Sequence, residues 1–480
     1  MKDYDLKNPY TGDTIATYTL DDSKSIHSKL KKALEIQTSW ANMEIEDRCQ
    51  LLTNVAELLI ERKEEYAKLM TQEMGKPISQ GVAEIEKCAW VCDFYALNAE
   101  DLLADELIDT DADESFISHD PLGCILAVMP WNYPFWQVLR FAAPTLTAGN
   151  TALLKHAKNV TGCSLAIEQL FLDAGYPEGC FQSIKSGHEE IEKLIAHEGI
   201  KAVTLTGSEK AGRSIARTAG ENLKKSVLEL GGNNACIIWE DADLDQYIST
   251  MATARMQNTG QSCIAAKRFI VCADIYDDFI EKFTAEIKSF KTGDPMDKDT
   301  FIGVMAREDL AEELQKQVQN SIDMGAEVIL GNEINGAYFS PTILTNVTKE
   351  MPVFKEETFG PVAAITKVAN REEAIQLATN SRFGLGSMLF TQDIDSAMDM
   401  ISQIPDGAFF INDMVKSDPR LPFGGTKASG YGRELSREGI LEFVNKKTVY
   451  IPWKLKLIPI LDLFFGNYLR KKITKAVNSE

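Results

Sequence analysis

Strand-like segments that alternate with helical patterns constrain the fold of this chain more than any other feature. Five such segments lie in the first half, at residues 123–129, 151–155, 181–184, 202–206 and 226–230. The first is a near-continuous apolar run, which is typical of a strand buried on both faces of a sheet. Strands that alternate with helices predict a parallel, doubly wound sheet, and ligands of such sheets bind beyond the carboxyl ends of the strands.

A second α/β block begins near residue 231. Asp241 is expected to cap the helix after its first strand, and this helix should run to about Asn258. With 480 residues the chain exceeds what one core usually supports. We therefore place a domain boundary between Glu229 and Cys263, so that both residues face an inter-domain cleft.

The segments before the first sheet have other patterns. Apolar residues repeat at spacings of three and four within residues 22–106, which predicts three helices. The acidic stretch at 105–120 contains Ile108 and the β-forming pair Phe116-Ile117. This stretch suits either a strand or an exposed arm.

Composition excludes several classes of protein. A formal net charge of −21 argues against general nucleic-acid binding, which requires a basic surface. The nine cysteines are scattered and odd in number, so a disulfide framework is not expected. The five histidines are well separated, and neither they nor the cysteine spacings resemble a metal site. The polar N-terminus is not followed by a secretory signal, so we expect a cytoplasmic protein.

One cysteine differs from the other eight in its surroundings. Cys263 ends a polar, glycine-containing turn at residues 257–263 (QNTGQSC), whereas the others lie in apolar or helical contexts. Glu229 lies upstream between two leucines, where an unpaired carboxylate would cost several kcal/mol of desolvation. The two residues are a candidate nucleophile and general base. The alternatives are a buried structural thiol and a strand-end glutamate that reaches solvent.

Two further segments directly follow predicted strands. Asn132 lies between two prolines in residues 129–134 (MPWNYP), and its amide is suited either to donate to an oxyanion or to make a turn. Residues 206–212 (TGSEKAG) end a strand and open a helix, a position where free backbone N–H groups can hold phosphate. A glycine in such a place is often only a turn residue.

Four motifs in this order resemble the NAD(P)-dependent aldehyde dehydrogenase superfamily. They are Asn132 and residues 229–232 (ELGG), 260–263 (GQSC) and 357–362 (ETFGPV). The resemblance runs from about residue 5 to about residue 452. It implies the α/β aldehyde dehydrogenase fold, with two doubly wound parallel-sheet domains and a β oligomerisation arm. The implied ranges are 1–102 and 122–230 for the coenzyme-binding domain, 231–436 for the catalytic domain, 103–121 and 437–453 for the arm, and 454–480 for a C-terminal tail.

The resemblance implies oxidation of an aldehyde to its carboxylic acid. Cys263 matches the nucleophile, which forms a thiohemiacetal and then a thioester. Asn132 and the backbone N–H of Cys263 match the groups that stabilise the oxyanion, and Glu229 matches the base that activates water. The presence of Glu229 disfavours a coenzyme-A-acylating relative, and the three residues together disfavour a catalytically silent one.

The coenzyme site is also implied by resemblance. Lys155 matches the adenosine-ribose ligand, Ser208 the pyrophosphate contact, Glu357 the nicotinamide-ribose ligand and Phe359 the ring beside it. Three more residues are expected to complete the site: Trp131, Gly207 and Leu230. Lys158 stands where many NAD-preferring members carry a glutamate, and an ammonium there would attract a 2′-phosphate. We expect NADP and NAD both to be accepted, with no metal; the alternative for Lys158 is a side chain that points to solvent.

Arg140 bears on the substrate. In the family this position faces the substrate tunnel, and members that act on succinate semialdehyde carry an arginine that can pair with the distal carboxylate. Residues 129–140 together with 154–157 resemble a bacterial succinate-semialdehyde dehydrogenase subgroup, although Gln257 replaces a second arginine of some such enzymes. Tyr133, Ser262 and Gln257 are expected to line the tunnel. The alternatives are an Arg140 that pairs with a helix carboxylate, and a broad-specificity or long-chain aliphatic substrate.

The chain continues for about 30 residues past the usual end of the superfamily. The apolar run within residues 454–480 is too short and interrupted to span a bilayer. We expect the tail to pack on a neighbouring subunit; the alternative, a helix on a membrane surface, would favour a long-chain aldehyde. The expected partners are a small-molecule aldehyde and further copies of the chain in a homodimer or homotetramer, without nucleic acid.

Overall fold

The structure, a computed structural model, describes residues 3–452. Its α-helices are α1 (Ser23–Ala41), α2 (Ile45–Glu61), α3 (Lys63–Met74), α4 (Ile78–Leu103), α5 (Trp136–Thr147), α6 (Thr161–Asp173), α7 (His188–Ala196), α8 (Glu209–Glu221), α9 (Leu244–Met256), α10 (Tyr276–Ser289), α11 (Glu308–Asp323), α12 (Pro352–Lys355), α13 (Arg371–Thr379), α14 (Ile394–Asp399) and α15 (Ser436–Ile440). The prediction for the tail at 454–480 lies outside the described residues.

The strands are β1 (Asp3–Lys7), β2 (Thr14–Thr19), β3 (Glu106–Leu107), β4 (Glu114–Pro121), β5 (Cys124–Met129), β6 (Thr151–His156), β7 (Phe181–Ser183), β8 (Ile200–Thr206), β9 (Lys225–Glu229), β10 (Asn234–Ile238), β11 (Ala266–Cys272), β12 (Glu327–Leu330), β13 (Ile334–Asn335), β14 (Tyr338–Phe339), β15 (Thr342–Thr345), β16 (Val362–Val368), β17 (Phe383–Gly384), β18 (Gly386–Phe390), β19 (Ala408–Ile411), β20 (Thr426–Lys427), β21 (Gly430–Tyr431) and β22 (Val444–Ile451).

Six strands form the first large sheet, in the order β21-β9-β8-β5-β6-β7. Strands β5 to β9 are parallel, and only the short edge strand β21 pairs antiparallel, with β9. Cys124 and Leu126 of β5 share a core cluster with residues of α1, α7 and α8. Helices α5 and α6, which contribute nothing to that cluster, also contact the sheet. This confirms the doubly wound sheet predicted from the alternating pattern.

Seven strands form the second large sheet, in the order β12-β15-β16-β11-β10-β18-β19. All neighbours are parallel except β12 and β15. Successive side chains of β10 point to opposite faces: Cys236 and Ile238 pack with α9 and α10, whereas Ala235 and Ile237 pack with α13 and α14. Helices therefore cover both faces, and the second sheet is doubly wound as well.

The N-terminal region contains four helices, α1 to α4, so the prediction of three is wrong. A single non-helical residue, Arg62 (φ −103°, ψ 14°), separates α2 from α3. Gly75, with φ 75°, ends α3 in the left-handed conformation that favours glycine. The break at Arg62 contains neither proline nor glycine, and the helical spacing of apolar residues continues across it. No local pattern therefore predicts that the helix ends there.

The prediction that Asp241 caps the helix after β10 is also wrong. The cap of α9 is Asp243, whose carboxylate accepts the backbone N–H of Gln246 at 3.0 Å. Asp241 instead accepts the hydroxyl of Thr391 at 2.7 Å and the N–H of Asp393 at 3.0 Å. Two aspartates so close in sequence have the same capping chemistry, and a tertiary contact decides between them.

The chain divides into two compact units. The first comprises the residues up to Leu102 and 121–444, and it holds both large sheets. The second comprises 103–120 and, of the described residues, 445–452, and its sheet has the order β22-β4-β3. The acidic stretch at 105–120 therefore does form strands. The division into a coenzyme-binding and a catalytic domain stays a prediction.

Candidate active site

Two cavities of the first unit meet at Cys263, one of about 310 Å³ and the other of about 360 Å³. Cys263 and Gln137 line both. The first cavity collects most of the residues predicted to hold a coenzyme, namely Trp131, Gly207, Ser208, Leu230, Glu357 and Phe359, together with Asn132, the predicted oxyanion donor. The second collects those predicted to hold a substrate, namely Tyr133, Arg140, Gln257 and Ser262. The thiol is therefore accessible from a coenzyme-like and a substrate-like cavity.

The turn before this cysteine has an unusual backbone. Asn258, Thr259 and Gly260 have positive φ angles of 55°, 54° and 70°, a conformation that is uncommon for residues with a side chain. At Gly260 a Cβ would lie 2.3 Å from the carbonyl oxygen of Gly360, so no other residue fits. The side chain of Asn258 donates to the carbonyl of Asn132 at 2.8 Å. Such backbone strain clusters at functional sites and persists where the surroundings enforce it.

Asn132 follows the carboxyl end of β5 and is buried. Its amide nitrogen donates to the carbonyl of Gln261 at 3.1 Å, within the turn that ends at Cys263. The α5 helix that follows is anchored by Glu84, which accepts two backbone N–H groups at its start, each at 2.9 Å. Lys76 forms a buried ion pair with Glu84, which compensates the carboxylate. The segment that carries Asn132 is thus fixed at both ends.

The Cys263 thiol is protonated at neutral pH. Burial raises its pKa to about 11, although the positive charges of Arg140 and Lys267 act in the opposite direction. The carbonyl of Cys263 accepts hydrogen bonds from Asn234 Nδ2 at 2.6 Å and Lys267 Nζ at 2.9 Å. Because the thiolate is the nucleophilic form of cysteine, the site must remove this proton before the sulfur can react.

Glu229 ends β9 and is buried, which excludes the alternative of a glutamate that reaches solvent. It lines neither cavity. Its Oε1 atom lies 2.8 Å from the position a Cβ would take on Gly424. Within residues 3–452 neither carboxyl oxygen has a hydrogen-bond partner. Burial, followed by the negative charge of Glu434, raises the pKa of Glu229 well above its usual range, which suits a group that takes up a proton.

Arg140 lies in α5, is buried and lines the second cavity. Its Nε forms an ion pair with Glu434, its Nη2 lies 3.4 Å from the hydroxyl of Thr206, and its guanidinium lies 4.8 Å from the ring centroid of Phe423. Arg140 therefore pairs with a carboxylate, as in the alternative considered for it, but Glu434 precedes α15 rather than lying in a helix. The same guanidinium also borders the substrate-like cavity.

Lys87 of α4 is a second cation of this cavity and was not predicted from the sequence. Its Nζ donates to the hydroxyl of Ser417 at 2.8 Å and lies 4.3 Å from the ring centroid of Trp136. Burial, followed by the positive charge of Arg140, lowers the pKa of Lys87 to about 8. The second cavity thus contains two cationic side chains from different helices.

The start of α8 borders the first cavity. Ser208 caps this helix, with its hydroxyl accepting the N–H of Ala211 at 3.3 Å. The N–H of Gly207 donates to the carbonyl of Glu229 at 2.9 Å, which ties the ends of β8 and β9 together. A helix N-terminus with free N–H groups favours an anion, so the pyrophosphate prediction for this segment has a suitable location.

Glu357 and Phe359 line the same cavity. The carboxylate of Glu357 accepts hydrogen bonds from Lys267 Nζ and from the N–H of Gly232, both at 3.0 Å. The ring of Phe359 packs edge-on against Trp131, with 5.7 Å between centroids. One face of the cavity therefore offers a positioned carboxylate beside two aromatic rings.

Arg255 joins this segment to the turn before Cys263, because its Nη2 also donates to the carbonyl of Gly260 at 3.5 Å. Its Nη2 donates to the carbonyls of Thr358, at 3.1 Å, and Gly360, and its Nη1 donates to the carbonyl of Ala266 at 3.1 Å. The side chain is fully buried. A single guanidinium thus bonds both the 357–362 motif and the strand that follows Cys263.

Lys155 and Lys158 lie at and just beyond the carboxyl end of β6, outside both cavities. Burial and the charge of Lys158 lower the pKa of the partly buried Lys155. Lys158 is exposed, and its Nζ lies 5.6 Å from the ring centroid of Tyr4. The two ammonium groups are near enough to interact, while the exposure of Lys158 agrees with the alternative of a solvent-facing side chain.

Tyr133, Ser262 and Gln257 all lie on the wall of the second cavity. Burial raises the pKa of Tyr133, and a hydrogen bond to Ser262 opposes this shift. The ammonium of Lys76 lies 3.9 Å from the Tyr133 ring centroid. Their contacts with a substrate stay predictions.

Some features are absent from the described part of the chain. No group of three or more His, Cys, Asp or Glu side chains there could hold a metal ion. Across residues 3–452 no helix is long and apolar enough to cross a membrane. All nine cysteines are free thiols.

The chain belongs to the aldehyde dehydrogenase family, whose profile, described as "Aldehyde dehydrogenase family", matches residues 1–449. This confirms the predicted family and fold, and the protein is an NAD(P)-dependent oxidoreductase that acts on an aldehyde. The "Probable succinate-semialdehyde dehydrogenase [NADP(+)]" of Synechocystis sp. is 50% identical over 447 residues, which cover 92% of this chain and 98% of that protein. The "Succinate-semialdehyde dehydrogenase [NADP(+)] 1" of Mycobacterium tuberculosis is 44% identical, with coverages of 92% and 98%.

A solved structure supports the same assignment. The succinic semialdehyde dehydrogenase of Streptococcus pyogenes, in complex with NADP+, superposes with a TM-score of 0.92 at 38% identity. The match covers 94% of this chain and all of that one.

Sequence reasoning missed several polar residues of the site, among them Lys87, Gln137 and Lys267. Gln137 lies one helical turn before Arg140, and Lys87 lies on the same face of α4 as Gln80 and Glu84, so helical spacing could have found both. Lys267 lies within the apolar strand β11, where a lone lysine is itself a signal of a buried partner.

Proposed function

We propose that this protein oxidises succinate semialdehyde to succinate, with NADP or NAD as the hydride acceptor and Cys263 as the nucleophile. The observation that carries the proposal is the position of Cys263 at the junction of two cavities, one of which contains the buried guanidinium of Arg140. The names of the Synechocystis and Mycobacterium relatives support the same substrate and NADP.

The first cavity fits a pyridine dinucleotide. Ser208 and the start of α8 suit its pyrophosphate, the carboxylate of Glu357 suits ribose hydroxyls, and the rings of Phe359 and Trp131 form an apolar wall. Lys155 and Lys158 would hold the adenosine ribose, and their two positive charges favour a 2′-phosphate there. When bound, the coenzyme supplies the hydride acceptor.

The remaining chemistry falls to side chains of this protein. The Cys263 thiolate attacks the aldehyde carbon and forms a thiohemiacetal, while Asn132 and the backbone N–H of Cys263 donate to the oxyanion. Loss of hydride from this carbon leaves a thioester. Glu229 then takes a proton from the water that attacks the thioester, the carbon–sulfur bond breaks, and the acid and the thiolate are released. Since its carboxyl group packs against Gly424, Glu229 must rotate its side chain to reach that water.

Arg140 would bind the far end of the substrate. Its ion pair with Glu434 uses Nε, so the Nη groups can still donate to a carboxylate. Gln257, also on the cavity wall, offers only an amide. An aldehyde with a distal anion therefore gains a favourable interaction that a neutral aldehyde of the same length lacks.

A substrate panel tests the proposal. The kcat/KM values of succinate semialdehyde, butanal and a long-chain aldehyde are each measured with NADP and with NAD. We expect succinate semialdehyde to be preferred over butanal by about 10-fold or more, which is the value of one hydrogen bond to a charged group. A preference for either neutral aldehyde would contradict the substrate, and strict use of NAD would contradict the coenzyme assignment.

We further propose a homodimer or homotetramer in the cytoplasm. In the second unit β22 and β3 are largely exposed, and Leu107 and Tyr450 there are 75% and 52% exposed, which suits an edge that pairs with another copy. The nine free thiols are typical of a reducing compartment. Light scattering of the purified chain measures its mass, and a monomer at micromolar concentration would refute the first part. Fractionation of cells tests the second.

A further inference from the structure

We infer that Lys87 is a specificity-determining residue whose ammonium, held by Ser417 at the second cavity, binds the distal carboxylate of the substrate together with Arg140. The inference rests on the proposed function, because it concerns how the same cavity recognises an anionic aldehyde. It adds a second cation, from α4, to a site for which the sequence suggested one.

The geometry places Lys87 in the cavity wall. Gln80, Glu84 and Lys87 follow one another at helical spacings of four and three, and all three line the cavity. The ammonium of Lys87 is fixed from two sides, by the Ser417 hydroxyl at 2.8 Å and by the Trp136 ring with its centroid at 4.3 Å. Neither neighbour carries a charge, so they orient the cation without neutralising it.

The other cations of the cavity already have acidic partners. Arg140 pairs with Glu434, and Lys416 pairs with Asp413 at 2.6 Å. Lys87, by contrast, forms no ion pair with any carboxylate among residues 3–452. A partly buried ammonium without a counter-ion has lost hydration and gained only weak charge interactions in return. A carboxylate that enters the cavity would supply the missing interaction.

The pKa of Lys87 reflects the loss of hydration without a counter-ion. Its pKa is lowered to about 8, by burial first and then by Arg140. Three other groups favour the charged form of Lys87, but more weakly. They are Cys88 and Glu84 of the same helix and Asp418 of the loop after β19. Lys87 is therefore charged below about pH 8 and neutral above it, and a bound carboxylate would raise the pKa again.

The test compares Lys87→Met and Lys87→Arg with the wild-type protein. The measured quantity is the ratio of kcat/KM for succinate semialdehyde to that for butanal, with NADP, from about pH 7 to about pH 9 on either side of this pKa. Effects on Cys263, Glu229 or the coenzyme act on both substrates and cancel in the ratio. A matched control is Lys416→Met, because Lys416 is a lysine that also borders this cavity, next to Ser417, but is ion-paired and exposed.

In the wild-type protein we expect the ratio to fall as the pH rises through about 8. Lys87→Met should lower the ratio at pH 7 by about 10- to 100-fold, which corresponds to one hydrogen bond to a charged group, and should abolish its pH dependence. In Lys87→Arg the ratio should stay pH-independent at a high value, because a guanidinium keeps its charge throughout this range. Lys416→Met should change the ratio by less than about threefold.

Three results would overturn the inference. One is an unchanged ratio in Lys87→Met; another is an equal fall in Lys416→Met, which would indicate only the general charge of the cavity mouth. The third is a fall in the ratio for Lys87→Arg that is as large as the fall for Lys87→Met. This result would indicate that Lys87 only holds the Ser417 loop. A wild-type ratio below one would instead refute the proposed substrate, so the two failures are distinguishable.

Discussion

Replacing Arg140 by methionine would leave the buried carboxylate of Glu434 without its partner. The Arg140 and Glu434 side chains are only 2% and 6% exposed, so water cannot take over the interaction. Breaking a buried pair by removing one member costs about 3–5 kcal/mol. Glu229 would also feel the loss, because Arg140 lowers its pKa while Glu434 raises it. We therefore expect a clear loss of folding stability, and we expect the carboxyl group of Glu434 to become protonated in addition to that of Glu229.

The size of the effect on the melting temperature follows from the length of the chain. Unfolding entropy is about 2.1 cal/mol/K per residue, so about 450 residues that unfold together give roughly 1 kcal/mol/K and a fall in Tm of about 3–5 °C. The fall should depend on pH. In the variant the pKa of Glu434 is raised above its unfolded value, so protonation relieves the cost and the loss of Tm shrinks as the pH is lowered.

Differential scanning calorimetry at several pH values measures both effects. The matched control is the double variant Arg140→Met/Glu434→Gln, which removes both charges and should recover most of the lost stability. Either a fully stable single variant or a double variant no better than the single one would refute the argument. The ratio of kcat/KM for succinate semialdehyde to that for butanal should fall in both variants, since both lack the guanidinium.

Three further outcomes follow from the site. Inactivation by iodoacetamide should accelerate about tenfold per pH unit from about pH 7 to about pH 10, because the pKa of Cys263 is raised to about 11; a plateau below about pH 8 would contradict this. Glu229→Gln should keep the initial burst of coenzyme reduction but lose about 10²- to 10⁴-fold in steady-state turnover, since Glu229 is assigned to thioester hydrolysis and not to the deprotonation of Cys263; stopped-flow absorbance shows whether the burst survives. Lys158→Glu should shift the NADP-to-NAD ratio of kcat/KM towards NAD by about tenfold or more, because a negative charge would repel the 2′-phosphate; an unchanged ratio in steady-state assays would mean that Lys158 faces solvent.

The sheets were predictable because their signals are local. A run such as residues 124–129 is apolar at nearly every position, which few structures other than a strand buried on both faces require. The helix predicted to begin within residues 206–212 is α8, with its serine cap directly before it. The break at Arg62 and the choice of Asp243 over Asp241 were not predictable. Both depend on contacts with distant segments, and neighbouring residues of the same chemistry do not reveal them.

The candidate site likewise contains some residues that local sequence predicted and others whose partners it did not predict. Cys263 and Glu229 were suggested by polar or charged residues in contexts where such residues are costly, and the family motifs supplied their partners. The partner of Arg140, in contrast, is Glu434, and the partner of Lys87 is Ser417, more than 290 residues away in each case. Which cation retains an unneutralised charge depends on these long-range pairs. The substrate cavity could therefore be located from the sequence, but its charge balance could not.

The buried guanidinium of Arg255 has a consequence for how this enzyme can diversify. By bonding the 357–362 motif and the start of β11 at once, it makes the segments that carry Glu357 and follow Cys263 parts of one rigid assembly. Much of the wall of the second cavity comes instead from α4, α5 and the loop after β19, which Arg255 does not bond. Substitutions in that wall can exchange one aldehyde for another and leave the geometry of hydride removal intact, whereas a change at the nucleophile turn displaces both halves of the chemistry together.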